Sequence, residues 1–266
     1  MSSPWNVQQL IEALGSAACR FDVTLLPQCE STNAELLTRA ENGAPSGTVV
    51  VAEEQTAGRG RRGRVWIASA GDSVTFSLLW RLPAGKPPMG LSLAVGVAVV
   101  KALENLSGAD KNCFTELRLK WPNDILLQGK KLGGVLVELV PGVPHAAVIG
   151  IGLNLRLPEA LSPDVRATAI AWPTAIDCNQ LLAELLRELL AVLTVFSVDG
   201  FLGVRSDWLA RHAYQDARIV LLTDFAPPRQ GVCRGVDEEG ALLFDAEGQI
   251  ERILSGEISL RPAWTP

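Results

Sequence analysis

No C-x-x-C pair occurs among the five cysteines Cys19, Cys29, Cys113, Cys178 and Cys233, and only two histidines, His145 and His212, accompany them. Neither a disulfide framework nor a Cys/His metal centre can be read from so odd and scattered a set. The cysteines instead predict reduced, mostly buried thiols of a cytosolic protein. Positive charge is also short: 24 Lys and Arg stand against 29 Asp and Glu, a net charge of −5. A general nucleic-acid binder needs a basic face, so that class is disfavoured. The longest plain apolar run, Leu91 to Val100, falls far short of the roughly 18 residues of a membrane-spanning helix. The N-terminus has no basic start and carries Glu12 where a signal sequence would be apolar, which makes the cytoplasm the expected location. Internal repeats and low-complexity tracts are absent. What remains is a chain of 266 residues that is 48% hydrophobic, enough for one large or two modest domains with an ample core.

Positive charge is concentrated in one place. The seven residues Gly58 to Arg64, GRGRRGR, hold four arginines and three glycines. Guanidinium groups so close together repel one another unless an anion or solvent lies between them, and glycines let the backbone approach a ligand closely. One reading is an anion clamp in which arginine forks and exposed N–H groups surround a phosphate or carboxylate. The other is a solvated basic loop or a weak nucleic-acid patch.

In chain order, Val7 to Leu14 has helical spacing and Thr24 to Leu26 begins an extended stretch. Thr32 and Glu35 have capping-box spacing, predicting a helix from about Asn33 to Glu41 with one of the Ser31 and Thr32 hydroxyls capping it and the other left for a ligand. Thr48 to Ala52 and Val74 to Leu82 read as strands flanking the arginine loop, with Trp66 either a lid over core or a stacking surface. Met89 to Asn105 reads as an apolar helix. Leu117 to Val140 reads as a strand, a Pro-bounded turn and a hairpin closing near Gln128-Gly129, punctuated by Lys120, Asn123, Asp124, Lys130 and Lys131. Lysines suit an edge strand, which fits Lys130 better than Lys131, since Gly133-Gly134 behind Lys131 permits close backbone approach. Ala146 to Leu155 is a buried strand whose Asn154 is a strand-end cap or a ligand contact. Leu157 to Trp172 reads as loop. Asn179 to Ser197 is an amphipathic helix with Glu184, Arg187 and Glu188 on its polar face, followed by a helix over about 201–212. After Tyr214, five short segments separated by Gly and acidic turns predict a small β-barrel.

Taken together, Ser31-Thr32-Asn33, Gln55 with Gly58 to Arg64, Lys120-Trp121-Pro122-Asn123-Asp124, Lys131-Leu132-Gly133-Gly134 and Gly256-Glu257-Ile258-Ser259-Leu260 resemble, in order and spacing, the motif set of bacterial biotin protein ligases. The resemblance spans nearly the whole chain. It implies an α+β fold: a mixed sheet with helices similar to the catalytic domain of class II aminoacyl-tRNA synthetases and lipoate ligases over 1–214, then an SH3-like β-barrel over 215–266.

The resemblance also implies an activity. Biotin would be activated by ATP with Mg²⁺ as biotinyl-5′-adenylate and transferred to a lysine of a biotin carboxyl carrier protein of acetyl-CoA carboxylase. By the same carry-over Lys131 and Arg61 serve catalysis, and Ser31, Thr32, Asn33, Gln55, Gly58, Arg59, Gly60, Arg61, Lys131 and Gly133 face biotin. Arg61, Arg64, Trp66, Lys120, Asn123, Asp124 and Asn154 face the nucleotide, and the arginine loop closes as a lid. No protein ligand to the metal is assigned, and the stretch 155–172 carries no distinctive motif. About thirty residues precede Ser31, too few for the helix-turn-helix domain of many relatives, so a monofunctional ligase without specific DNA binding is expected. Exposed hairpin edges suit a homodimer. The competing classes are a lipoate or octanoate ligase of related fold and a non-catalytic nucleic-acid-binding module.

Overall fold

The computed structural model describes residues 4–107, 116–159, 161–223, 226–254 and 258–263. Cys113, Gly256 and Glu257 lie outside them.

A seven-stranded sheet organises the larger part of the chain, in the order β1-β2-β3-β7-β6-β5-β4. Its strands are β1 (Asp22–Cys29), β2 (Thr48–Gln55), β3 (Ser73–Arg81), β4 (Leu117–Lys120), β5 (Asp124–Leu127), β6 (Lys130–Val140) and β7 (Val143–Asn154). The β1–β2 pair is parallel and the others are antiparallel, so the sheet is mixed. The β5–β6 hairpin turns where the sequence predicts, with both Gln128 (φ 52°) and Gly129 (φ 72°) in the left-handed region, the geometry of a tight two-residue hairpin turn.

Strand side chains alternate between faces, and here both faces are covered. Val49, Val51, Phe76, Leu78, Ile149 and Ile151 point into the main core with helices α3 (Leu91–Leu106) and α5 (Cys178–Asp199), onto which α1 (Val7–Leu14) packs. Val50, Leu79 and Val148 point the other way, against Leu36 and Ala40 of α2 (Thr32–Glu41). At roughly 25 cal/mol per Å² of apolar surface, each fully buried Leu or Phe in these layers contributes about 1.5–3 kcal/mol before entropy is counted. Two further helices are short, α4 (Pro163–Thr168) and α6 (Arg205–Ala210). No helix among the described residues is long and apolar enough to cross a membrane.

A second, five-stranded antiparallel sheet follows, in the order β11-β10-β9-β8-β12, made by β8 (Arg218–Thr223), β9 (Arg229–Val236), β10 (Leu242–Ala246), β11 (Gln249–Ile253) and β12 (Ile258–Pro262). All five predicted segments are present, and the sheet fits an SH3-like domain. It meets the first sheet at a tight joint. Trp121 is 1% exposed and donates from Nε1 to the carbonyl of Gly240 at 3.1 Å, and the segment leading into the second sheet is tied to β4, where Leu119 N donates to Arg211 O at 2.8 Å. His212 stacks 4.5 Å from the Trp208 ring, with Nε2 3.8 Å from Cys233 Sγ. Burial drives the His212 pKa down to about 4, partly opposed by Gln215 and Asp216, and pushes the Cys233 thiol up to about 11, so both groups are neutral near pH 7.

Four details depart from expectation. The capping box over Thr32 and Glu35 does not form: Ser31 is the N-cap residue without a side-chain bond, Thr32 turns to Gln55, and Glu35 pairs with Arg39 at 2.9 Å. Among the described cysteines only Cys233 is buried; Cys19 is exposed on a short 3-10 helix over Gly15–Arg20, Cys29 and Cys178 are half-buried, and all four are free. Glu184 leaves the polar face of α5 and is 9% exposed, because Asn105 donates to it at 2.7 Å and Arg187 pairs with it. The stretch after Asn154 is not all loop: α4 forms, with Pro163 at its first position, where a missing N–H costs nothing.

Candidate active site

A cleft of about 560 Å³ opens on the α2 face of the large sheet. Its floor follows from strand register. Thr75 pairs with Gly152, Gly152 with Gly134, Gly134 with Asp124 and Asp124 with Lys120, one row across five strands. The neighbouring row runs Ser77, Gly150, Leu136. Glycines in both rows leave room above the sheet. A Cβ on Gly152 would lie 2.5 Å from the Trp66 indole, and one on Gly150 would strike the Asn33 amide.

One wall is the N-terminal end of α2. Gln55 Oε1 accepts from Thr32 N at 2.7 Å and from Thr32 Oγ1 at 3.1 Å, which turns the donor end of the Gln55 amide away from Thr32. Ser77 Oγ lies 2.8 Å from Thr32 Oγ1 and 2.5 Å from Asn33 Oδ1. Ser31, Thr32 and Asn33 are all buried. Such a network fixes which atoms of these side chains face the cavity.

The opposite end is cationic. By simple alternation Lys131, Gly133 and Val135 share one face of β6, and the cleft belongs to the Gly134 face. Register slips between Ile125, which pairs with Gly133, and Leu126, which pairs with Lys131, leaving Leu132 without a partner. This bulge reverses the direction of Lys131. Its Nζ reaches Asp124 Oδ1 at 2.6 Å, while Lys120 Nζ lies 3.3 Å from Asp124 Oδ2. Burial works against the charge of Asp124, but Lys131 and Lys120 outweigh it and hold the carboxyl below its ordinary value.

The arginine loop forms a roof hairpin. Trp66 N donates to Gly58 O at 2.9 Å and Gly60 N to Arg64 O at 2.7 Å, with the tip at Arg61–Gly63, where Arg62 has φ 59°. Arg61 reaches down to Asn123 Oδ1 at 3.4 Å; burial first, then Arg62 and Arg64, lowers its pKa, and Asp124 opposes them. Trp66 covers Gly152 with its buried indole Nε1 lacking a partner among the described residues. Asn154 Nδ2 donates to Ile170 O at 3.1 Å, tying the α4 segment to the end of β7.

Fourteen of the sixteen candidate residues read from the sequence line this one cleft; Gly58 and Gly133 do not. The missing Cβ of Gly133 lies against Gly152 O at 2.5 Å, and that of Gly58 against the carbonyl of Trp66. Sequence reasoning missed the floor residues Thr75, Leu136, Gly150 and Gly152, the wall from α4 (Val165 and Thr168) and Ala169 just after it, and Leu260 from β12. The glycine alternation of Gly150-Ile151-Gly152 was the available signal for the floor; the α4 wall has none.

Comparison with known proteins gives the same picture. Residues 25–154 match the Biotin/lipoate A/B protein ligase family and residues 219–261 the Biotin protein ligase C terminal domain. The chain is 35% identical over 255 residues to the biotin--[acetyl-CoA-carboxylase] ligase of Mycobacterium tuberculosis, covering 94% of this chain and 92% of that one. The chain belongs to the biotin protein ligase family. It is also 38% identical over 264 residues to the bifunctional ligase/repressor BirA of Escherichia coli, covering 97% of this chain and 78% of BirA. Among solved structures, a biotin protein ligase from Aquifex aeolicus in complex with biotin and ATP superposes with a TM-score of 0.77 at 29% identity, covering 91% of this chain and 99% of that one. Biotin protein ligase membership favours a ligase over a nucleic-acid-binding module and over the lipoate branch.

Proposed function

We propose that this chain is an ATP-dependent biotin protein ligase acting at the cleft above. A carboxylate oxygen of biotin attacks the α-phosphorus of ATP, the bond to pyrophosphate breaks, and biotinyl-5′-adenylate remains. The ε-amine of a carrier-protein lysine then attacks the acyl carbon, the acyl–oxygen bond breaks, AMP leaves, and the amine loses its proton.

The observation that carries this reading is the bulge that brings Lys131 to the cationic end of a cleft roofed by the arginine hairpin. Two anions must meet in the first step, and fixed positive charge at the point of approach lowers that barrier. Lys131 and Arg61 take this role, with Arg59 and Gly60 beside the biotin carboxylate. Ser31, Thr32, Asn33 and Gln55 hold the biotin head and tail, and Gly58 and Gly133 support that end through backbone packing. Arg64, Trp66, Lys120, Asn123, Asp124 and Asn154 take the nucleotide side. Trp66, whose flat indole packs over the floor at Gly152, suits a stacking contact with adenine. The hairpin roof serves to exclude water from the anhydride.

Mg²⁺ belongs to this chemistry as part of the MgATP substrate. No group of three or more His, Cys, Asp or Glu side chains able to hold a metal occurs among the described residues, and Asp124 is engaged by two lysines.

We further infer that the chain divides into a catalytic part, 1–214, and an SH3-like part, 215–266, that it is cytoplasmic, and that its protein partner is a biotin carboxyl carrier protein. A net charge of −5 with the arginines gathered over the cleft favours no specific DNA binding. The edge strand β1 offers a surface for a homodimer, whereas the outer edge of β4 is taken up by residues 211–213. The deciding experiment is pyrophosphate release from ATP with biotin or with lipoate, followed by label transfer to a carrier domain. Release with biotin alone is expected; release with lipoate alone, or with neither, overturns the reading.

A further inference from the structure

Glu138 of β6 is a charged residue that the chemistry above does not use. Register places it on the same face as Gly134 and Leu136, paired with Val148 one row beyond the cleft floor. Its Oε2 accepts from Asn33 Nδ2 at 2.7 Å and faces Arg59 Nη2 at 3.4 Å. Asn33 Nδ2 also reaches Leu136 O at 3.3 Å, which fixes the Asn33 amide with its oxygen toward Ser77. One carboxylate oxygen thus serves a buried amide tightly and an arginine loosely.

The two contacts differ in kind. Asn33 is 3% exposed, and its short bond to Glu138 is part of the wall. The Arg59 side chain is 45% exposed, and its single long contact leaves most of the guanidinium's donors for another anion. We propose that Glu138 is a positioning residue, a resident counter-anion that parks Arg59 beside the Ser31–Asn33 wall and yields it to the substrate carboxylate. This rests on the reading of the cleft as the biotin-activating site. Exchange of one carboxylate partner for another costs little, because the arginine never faces the cavity as a naked charge. It also means that Glu138 and the substrate compete for Arg59.

Glu138→Gln separates the two contacts, since the amide oxygen can still accept from Asn33 while the negative charge is gone. Titration calorimetry on the full chain, with biotin and with biotin methyl ester, reads the difference. Biotin should bind Glu138→Gln roughly two- to fivefold more tightly than wild type, the scale of a half-exposed ion pair, while the uncharged ester is unaffected. In an Arg59→Ala background the Glu138→Gln gain should vanish. Unchanged or weaker biotin binding, an equal change for the ester, or a gain that survives Arg59→Ala would each overturn the inference. Wild-type protein that binds neither ligand would instead overturn the functional reading on which it rests.

Discussion

Lys131 Nζ lies 2.6 Å from Asp124 Oδ1, across a hairpin whose register slips by one residue so that the two can meet. The lysine side chain is 39% exposed, the carboxylate 16%. Asp124 therefore anchors the amine at the floor while leaving it open to the cavity.

Removing that amine should spare the fold and stop the chemistry. Lys131→Ala is expected to lower pyrophosphate release on the order of a hundredfold or more, the scale of losing one preorganised charge at a reacting anion. Its thermal midpoint should stay close to wild type, because Lys120 still pairs with Asp124. Near-normal turnover by the folded variant would remove Lys131 from the site.

Arg61 should matter more for keeping the intermediate than for making it. Its guanidinium sits in the hairpin tip above Asn123, whereas Lys131 approaches from the floor. Loss of an arginine–phosphate contact is worth about 1.5–3 kcal/mol, or roughly ten- to a hundredfold in dissociation rate. The adenylate formed on wild type and on Arg61→Gly can be chased with unlabelled biotin and its release followed. Wild-type release combined with abolished synthesis would confine Arg61 to the chemical step and remove its part in holding the adenylate.

Acid should loosen the joint between the sheets through His212. Its folded pKa of about 4 lies below the ordinary 6.5, so the unfolded chain binds the extra proton first as pH falls. Stability is then full above pH 6.5 and declines toward pH 4, by up to about 3 kcal/mol. Urea melts at pH 7 and pH 5 should show this slope, and His212→Phe, which can keep the stack on Trp208, should flatten it. An identical slope in the variant would place the acid sensitivity elsewhere.

Legibility in the sequence tracked the range of the interaction. Helices α1, α3 and α5 and the strands of both sheets follow from local periodicity, and the Gln128-Gly129 turn from local chemistry. The arginine hairpin and the lysines stood out because such charges amid glycine or apolar neighbours are costly. The direction of Lys131 was not readable, since it depends on an unpaired Leu132 opposite another strand. The capping box failed for a similar reason: Gln55, 23 positions along, competes for Thr32. The α4 wall has ordinary composition, and only its attachment at Lys131 and Asn154 brings it to the cleft.

The bond from Trp121 to Gly240 has a consequence for how the molecule can be cut. Trp121 belongs to the corner that carries Lys120, Asn123 and Asp124, and its indole is sealed by the β9–β10 turn. A scissile site near residue 214 would look like a natural seam, yet a fragment ending there would bare a large apolar ring and an orphaned N–H directly behind the Lys120–Asp124 end of the cleft. The last fifty or so residues therefore cannot be treated as an exchangeable cassette. A chimera that grafts another small barrel there would have to reproduce the Gly240 carbonyl before it could support turnover.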